Sequence, residues 1–179
     1  MIHSNYNILP YDGIANYYQS MFTEDESLSL MKKLSETIIW RNDESKIFGK
    51  HYITKRKVAW YGDKEFEYKY SNIKKNALAW THELLLIKGR VEKLTSESFN
   101  SCLLNLYHDG SEGMGWHSDN ESMLKKNATI ASLSLGAKRR FCFKHKKTNE
   151  KKEITLHNGS ILLMKGEIQS NWIHQLPKM

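Results

Sequence analysis

Gly115-Trp116-His117-Ser118-Asp119-Asn120-Glu121, preceded by Asn105-Leu106-Tyr107-His108-Asp109-Gly110, is the stretch around which the rest of the chain is organised. Side chains alternate along an extended segment with a period of two, so the imidazole of His117 and the carboxylate of Asp119 project to the same side. One more ligand would complete a metal site. Trp172-Ile173-His174-Gln175 offers it, just after Ser160-Ile161-Leu162-Leu163-Met164, an apolar run that reads as a buried strand. Two imidazoles and one carboxylate are the donor set of the facial triad that holds non-haem Fe(II) and leaves positions open for substrate and dioxygen. The set lacks a thiolate, which argues against structural zinc. A His-x-Asp pair arises by chance in about a quarter of chains of this composition, so its surroundings must carry the reading.

Working outward, segments 99–108, 129–135, 139–146, 152–156, 160–164 and 171–176 are short and β-rich. Turn-compatible residues such as Asp109-Gly110 and Asn158-Gly159 separate them. Upstream, Thr23-Glu24-Asp25-Glu26 has capping-box spacing, and Leu28, Met31, Leu34 and Ile38 recur at helical intervals up to Trp40. This predicts a helix of about four turns with an apolar stripe that braces a sheet. A second helix is expected after Thr81, with Leu84, Ile87, Val91 and Leu94 on one side and Gly89 as a weak point. Residues 1–22 read as an irregular or short-strand entry. Many short strands following helices give an α+β chain: a double-stranded β-helix, or jelly roll, with two N-terminal supporting helices.

With 179 residues, 40% of them hydrophobic, the chain can bury one sizeable core and is expected to form a single domain, 1–179. Cys102 and Cys142 both lie in apolar segments and read as buried free thiols, which fits a reducing compartment. The start lacks the basic and apolar blocks of a secretion signal, and no apolar run reaches the length of a membrane span. The expectation is a monomeric, cytoplasmic protein, nuclear if the cell is eukaryotic, that is neither secreted nor membrane-bound. A formal net charge of +7 and a pI near 9.3 favour a polyanionic partner.

The basic residues are unevenly spread. Over 45–61, lysines and Arg56 interleave with aromatics around Gly49, a pattern that suits a hairpin holding phosphates while an apolar side chain wedges between bases. The same pattern also describes an amphipathic hairpin whose Phe48 simply packs. Glu65-Phe66-Glu67-Tyr68-Lys69-Tyr70 alternates as a strand, with its aromatics either in the core or stacked on a base. Residues 144–152 form either a solvated hairpin tip or a phosphate contact.

Taken together, Asn105-x-Tyr107-x-Asp109-Gly110, Gly115-x-His117-x-Asp119-x-Glu121, Ile130-Ala131-Ser132-Leu133-Ser134-Leu135-Gly136 and Arg140-Phe141-x-Phe143-Lys144-His145-Lys146 closely resemble the AlkB family of Fe(II)/2-oxoglutarate dioxygenases. Within the family the likeness is to the branch that repairs alkylated bases in duplex DNA, and it runs from Ile47 to Lys178. The resemblance implies Fe(II), 2-oxoglutarate and dioxygen as cofactors. It implies His117, Asp119 and His174 as iron ligands, and Asn105 and Tyr107 as donors to 2-oxoglutarate. Ile47-Phe48-Gly49-Lys50 matches the finger loop that fills the gap left by a flipped base, and Arg56 falls where those relatives carry an arginine on the substrate side. Tyr68-Lys69-Tyr70 matches the loop lining the base pocket. Glu121 matches an acid that reads the exocyclic group of the base, and Asn120 occupies a neighbouring substrate-contacting position where duplex-acting relatives carry an acid. The less favoured alternative makes Asn105 and Tyr107 core polar groups, and Asn120 and Glu121 solvated ones.

The implied activity is oxidative demethylation of 1-methyladenine- or 3-methylcytosine-type lesions in DNA, single- or double-stranded, with RNA as a further substrate class. Hydroxylation of the N-methyl carbon gives a hemiaminal that loses formaldehyde. The sequence departs from the family in one respect. Relatives continue past the second ligand histidine into Arg-x-Asn-x-Thr-Phe-Arg, whose arginines clamp 2-oxoglutarate. Here the sequence reaches Met179 five residues after His174, and no arginine follows Arg140. The expectation is therefore a domain without that arginine-bearing strand and with a bared neighbouring edge. The alternative is a catalytically inactive nucleic-acid-binding remnant. A third reading is a dioxygenase of the same fold acting on proteins or small molecules.

Overall fold

The structure, a computed structural model, describes residues 6–47, 50–63, 67–70, 73–120 and 124–179, with the backbone alone for 45–47, 67–70 and 73–76. Two compact units are resolved: a terminal unit made of Met1–Lys33 with Gly113–Met179, and a central unit, Leu34–Glu112. The chain opens with strand β1 (Ile14–Tyr18) and helix α1 (Glu24–Thr37). Next come β2 (Arg41–Ile47), β3 (Lys50–Gly62), β4 (Glu67–Tyr70), β5 (Ile73–Asn76) and β6 (Leu78–Ala79), then α2 (His82–Thr95) and β7 (Ser101–Leu106). The remainder is β8 (Met114–His117), β9 (Ile130–Ser134), β10 (Arg139–His145), β11 (Lys151–Leu156), β12 (Ser160–Lys165), the one-turn α3 (Ile168–Asn171) and β13 (Trp172–Leu176). Among the described residues no helix is long and apolar enough to cross a membrane.

In the terminal unit the strands form two sheets, ordered β1-β12-β9 and β11-β10-β13-β8. Along the chain β8, β9 and β10 alternate between the sheets, as do β11, β12 and β13, and this winding makes the unit a jelly roll. All its pairings are antiparallel. The apolar run expected as a buried strand is β12. It lies between β1 and β9, and Ile161 through Met164 are all at most 2% exposed, so both of its faces are covered. Burying one such side chain contributes about 1.5–3 kcal/mol. Before β12, Gly159 adopts φ +71, and a Cβ there would collide with Ser27 and the Phe22 carbonyl. That close approach requires glycine.

The expected first helix is α1. The Thr23 hydroxyl accepts from the Glu26 N–H at 3.2 Å, and the Glu26 carboxylate accepts from the Thr23 N–H at 2.9 Å, completing the capping box. The apolar stripe departs from expectation. Leu34 and Ile38 are buried, whereas Leu28 and Met31 are 52% and 41% exposed. Ser27 instead takes the buried position, because the Gly159 backbone comes too near for a larger side chain, and its hydroxyl donates to the Thr23 carbonyl at 2.7 Å.

In the central unit β3 lies between β2 and β7, with β6 alongside its end. The β2–β3 hairpin expected from the basic aromatic stretch closes to the pair Ile47↔Lys50. Between Asn42↔Lys57 and Glu44↔Ile53 the register shifts, so Thr54, Lys55 and Arg56 together oppose the single residue Asp43. Bulges of this kind re-aim side chains. The second expected helix is α2, capped by the Thr81 hydroxyl and holding Leu84 and Val91 in the core. It tolerates Gly89 because that position is exposed and nothing packs on it.

Candidate metal centre

The terminal unit brings together His117, Asp119 and His174, one ligand atom of each lying within 4.8 Å of the others. Register explains much of this. His174, central in β13, sits opposite His117 at the end of β8, and their ring centroids are 4.3 Å apart. Asp119 follows two residues beyond β8, outside the strand. Its Oδ1 lies 3.7 Å from His117 Nε2, and its Oδ2 lies 3.4 Å from His174 Nε2.

Each member is held from behind. His117 Nδ1 lies 2.8 Å from the Gly115 carbonyl, an acceptor only, so Nδ1 donates there and Nε2 is the ring nitrogen facing Asp119. His174 is 4% exposed; Phe141 stacks on it at 5.4 Å and 21°, and Phe143, its strand partner, meets it edge-on. The Asp119 backbone N–H donates to Gln169 Oε1 at 2.9 Å. Burial works to raise the Asp119 pKa, but the hydrogen bond from His174 and the nearness of both imidazoles outweigh it, keeping the carboxyl ionised below the usual range. A carboxylate and two imidazoles with no thiolate fit Fe(II) by donor chemistry.

A cavity of about 210 Å³ opens beside Asp119, lined among the described residues by Asn120, Lys125, Lys126, Asn127 and Gln169. Asn120 thus borders the one ligand that sits outside the strands. Nearby, the Lys146 ammonium donates to the Gln169 carbonyl at 2.8 Å, burial lowering its pKa, and Lys144 lies 4.9 Å over the Trp116 ring.

The central unit holds a second group. Asn105 on β7 pairs with Val58 on β3, which makes Arg56 its diagonal neighbour on the same face. Arg56 is 6% exposed; its guanidinium donates to Asp43 through Nη2 and to Asn105 Oδ1 through Nη1, with Cζ 6.0 Å from the Tyr107 ring centroid. Where the resemblance implies a substrate-side arginine, the structure shows a guanidinium engaged by two protein partners. Beyond Tyr107, Glu112 accepts from the His108 backbone N–H at 2.9 Å.

Of the remaining expected residues, Lys50 begins β3 and is exposed. Tyr68, Lys69 and Tyr70 lie in β4, paired by backbone with β5. Phe48, Gly49 and Glu121 lie outside the described residues. Asp43 and Gln169 escaped the sequence reading, and Phe141 and Phe143 stood there in a motif without an assigned role. Register and packing define what these four do.

The pattern of the 2OG-Fe(II) oxygenase superfamily matches residues 15–179. The chain is 30% identical to mouse (Mus musculus) "DNA oxidative demethylase ALKBH2" over 93% of its own length and 74% of that protein's. It is 33% identical to cattle (Bos taurus) "Alpha-ketoglutarate-dependent dioxygenase alkB homolog 3" over 86% of its own length and 56% of that protein's. It therefore spans between about half and three quarters of these relatives. Among solved structures, that of OsALKBH1 superposes with a TM-score of 0.67 at 12% identity, covering 92% of this chain and 84% of the other, a likeness of fold.

Proposed function

The chain belongs to the AlkB family of the 2OG-Fe(II) oxygenase superfamily, dioxygenases whose cofactors are Fe(II), 2-oxoglutarate and dioxygen, and on that ground we propose that it is an oxidative demethylase of N-methylated bases in DNA. The lesions are of the 1-methyladenine and 3-methylcytosine type. The observation that carries the reading is the convergence of His117, Asp119 and His174, with His117 Nδ1 turned to the Gly115 carbonyl and Nε2 to Asp119. His117, Asp119 and His174 would hold Fe(II), which with dioxygen as oxidant and 2-oxoglutarate as co-reductant would supply the hydroxylation of the N-methyl carbon, the hydroxymethyl product losing formaldehyde to leave the free base.

The protein's own residues have separate tasks. Asn105 and Tyr107 offer an amide and a phenol as donors to the carboxylate of 2-oxoglutarate. Phe141 and Phe143 confine the His174 ring and keep water from that side of it. Asn120, beside the cavity, contacts the substrate together with Glu121, while Tyr68, Lys69 and Tyr70 line the base. Phe48, Gly49 and Lys50 enter the duplex. DNA as the partner is supported by the net charge of +7, by the exposed Lys50 and Lys55 on the β2–β3 hairpin, and by the likeness to a DNA oxidative demethylase. Both units act as one catalytic domain, a reading supported by the family match running through them. The enzyme works as a monomer, in the cytoplasm or, in a eukaryote, the nucleus.

The test is formaldehyde release from oligonucleotides carrying 3-methylcytosine, with Fe(II) and 2-oxoglutarate supplied. Turnover dependent on both supports the proposal; RNA as the better substrate corrects the partner. Salt-sensitive binding without formaldehyde would favour the inactive nucleic-acid-binding reading. Phe48→Ala is expected to lower turnover on double strands more than on single strands, and equal loss on both would remove Phe48 from the duplex contact.

A further inference from the structure

We infer that Arg56 and Asp43 form a positioning device for the co-substrate, which acts by locking the side-chain amide of Asn105 with its NH2 end free to donate. The inference rests on the proposed role of Asn105 as a donor to 2-oxoglutarate.

A side-chain amide can flip, exchanging its acceptor oxygen for its donor nitrogen. Arginine removes the ambiguity at Asn105, because a guanidinium has only donors and the atom facing Nη1 must be the carbonyl oxygen. Oδ1 is thereby occupied. Among the described residues no hydrogen bond engages Asn105 Nδ2, and the residue is exposed. What Asn105 presents is a pair of N–H donors, which suit a carboxylate. Had Oδ1 been presented instead, its partial negative charge would repel one.

The device is built into the strand geometry. The register shift sets Asp43 opposite Thr54, Lys55 and Arg56, and two hydrogen bonds fasten it: Asn42 Nδ2 donates to the Thr54 carbonyl at 2.8 Å, and the Thr54 hydroxyl donates to the Arg56 carbonyl at 3.0 Å. Asp43 and Arg56 are each 6% exposed. Asp43 neutralises the guanidinium and fixes one end of its planar fork, which leaves the other end aimed at Asn105. Arg56 also lies over the Tyr107 ring, so one side chain touches both residues proposed to hold 2-oxoglutarate.

The experiment is anaerobic titration of 2-oxoglutarate into Fe(II)-loaded protein, following the visible charge-transfer band, for wild type, Arg56→Met, Asn105→Ala and the double variant. Arg56→Met is expected to weaken 2-oxoglutarate about tenfold, the lower end of what losing an orienting partner costs at metal sites. The double variant is expected to bind no worse than Asn105→Ala alone, because Arg56 has nothing left to orient. In steady state the KM for 2-oxoglutarate should rise with kcat retained at saturation. If Arg56→Met does not fold, Arg56→Lys is read in its place: it keeps the charge beside Asp43 and gives up the bond to Asn105, so the same weakening is expected. An unchanged titration midpoint in the Arg56 variant, or full multiplication of the two single losses in the double, overturns the inference and leaves the function intact. A wild type with no band overturns the functional reading itself, and an unaltered midpoint in Asn105→Ala overturns the role of Asn105.

Discussion

The terminal unit gathers a carboxylate and two imidazoles; the central unit gathers a carboxylate, a guanidinium and an amide. Both clusters join residues far apart in sequence across neighbouring strands or an adjoining turn, yet they are opposite in kind. Asp43, Arg56 and Asn105 close on one another: donors meet acceptors, and opposite charges are paired where water is excluded. His117, Asp119 and His174 instead bring three metal-ligating atoms within 4.8 Å of one another. Asp119 lies 3.7 Å from His117 Nε2 and 3.4 Å from His174 Nε2, and these three donors together fit a cation. The buried ion pair of the central unit can serve as a support, and the three ligating atoms of the terminal unit can serve as a site.

The sharpest way to break the contrast is to remove a member of the ligating cluster. Orienting partners around a metal cost 10–100-fold in affinity or activity, so His117→Ala, which removes a ligand itself, should lower iron-dependent formaldehyde release by more than about 100-fold. It should leave the unfolding midpoint near that of wild type. Retained turnover would sink the metal assignment, and a collapse in stability would show that the ligating cluster also supports the fold.

Removing a member of the ion-paired cluster should do the reverse. Asp43→Ala leaves a guanidinium uncompensated in the interior, and the expected cost is about 3–5 kcal/mol in urea unfolding. A loss no larger than that of an exposed ion pair, below about 1 kcal/mol, would mean that water reaches Arg56.

Gln169→Leu probes the support of the ligating cluster. It removes the acceptor for the Asp119 N–H, and Fe(II) affinity measured by competition with a chelator should weaken by about 10–100-fold. Unaltered affinity would mean that Asp119 is positioned by its own backbone.

The mildest effect concerns Glu112, whose carboxyl is held below the usual range chiefly by the His108 backbone N–H, against burial, with help from the His108 side chain. A carboxylate with a depressed pKa contributes its stability above the ordinary range and loses it as pH falls through the lowered value. Amide exchange at His108 should therefore stay protected at neutral pH and accelerate in acid below the ordinary carboxylate range; exchange that does not respond to acid would remove Glu112 as its cause.

Much of this was legible in the residues themselves. The capping box at Thr23, the apolar run of β12 and the turn at Asn158-Gly159 are local: propensity, periodicity and backbone freedom act over a few neighbours, so the sequence alone determined those elements. The His-x-Asp spacing likewise pointed to two ligands that come together, although β8 ends at His117 and Asp119 lies beyond it.

What lay beyond sequence was whatever depends on register. That His174 faces His117, that Asp43 confronts a three-residue bulge, and that Ser27 displaces Leu28 from the core are matters of which strand or turn lies beside which, and how closely. A one-residue slip in pairing would send every side chain of a strand to its other face. Only the tertiary structure decides that, because the energy that selects one register is summed over the whole sheet and is not carried by any single residue.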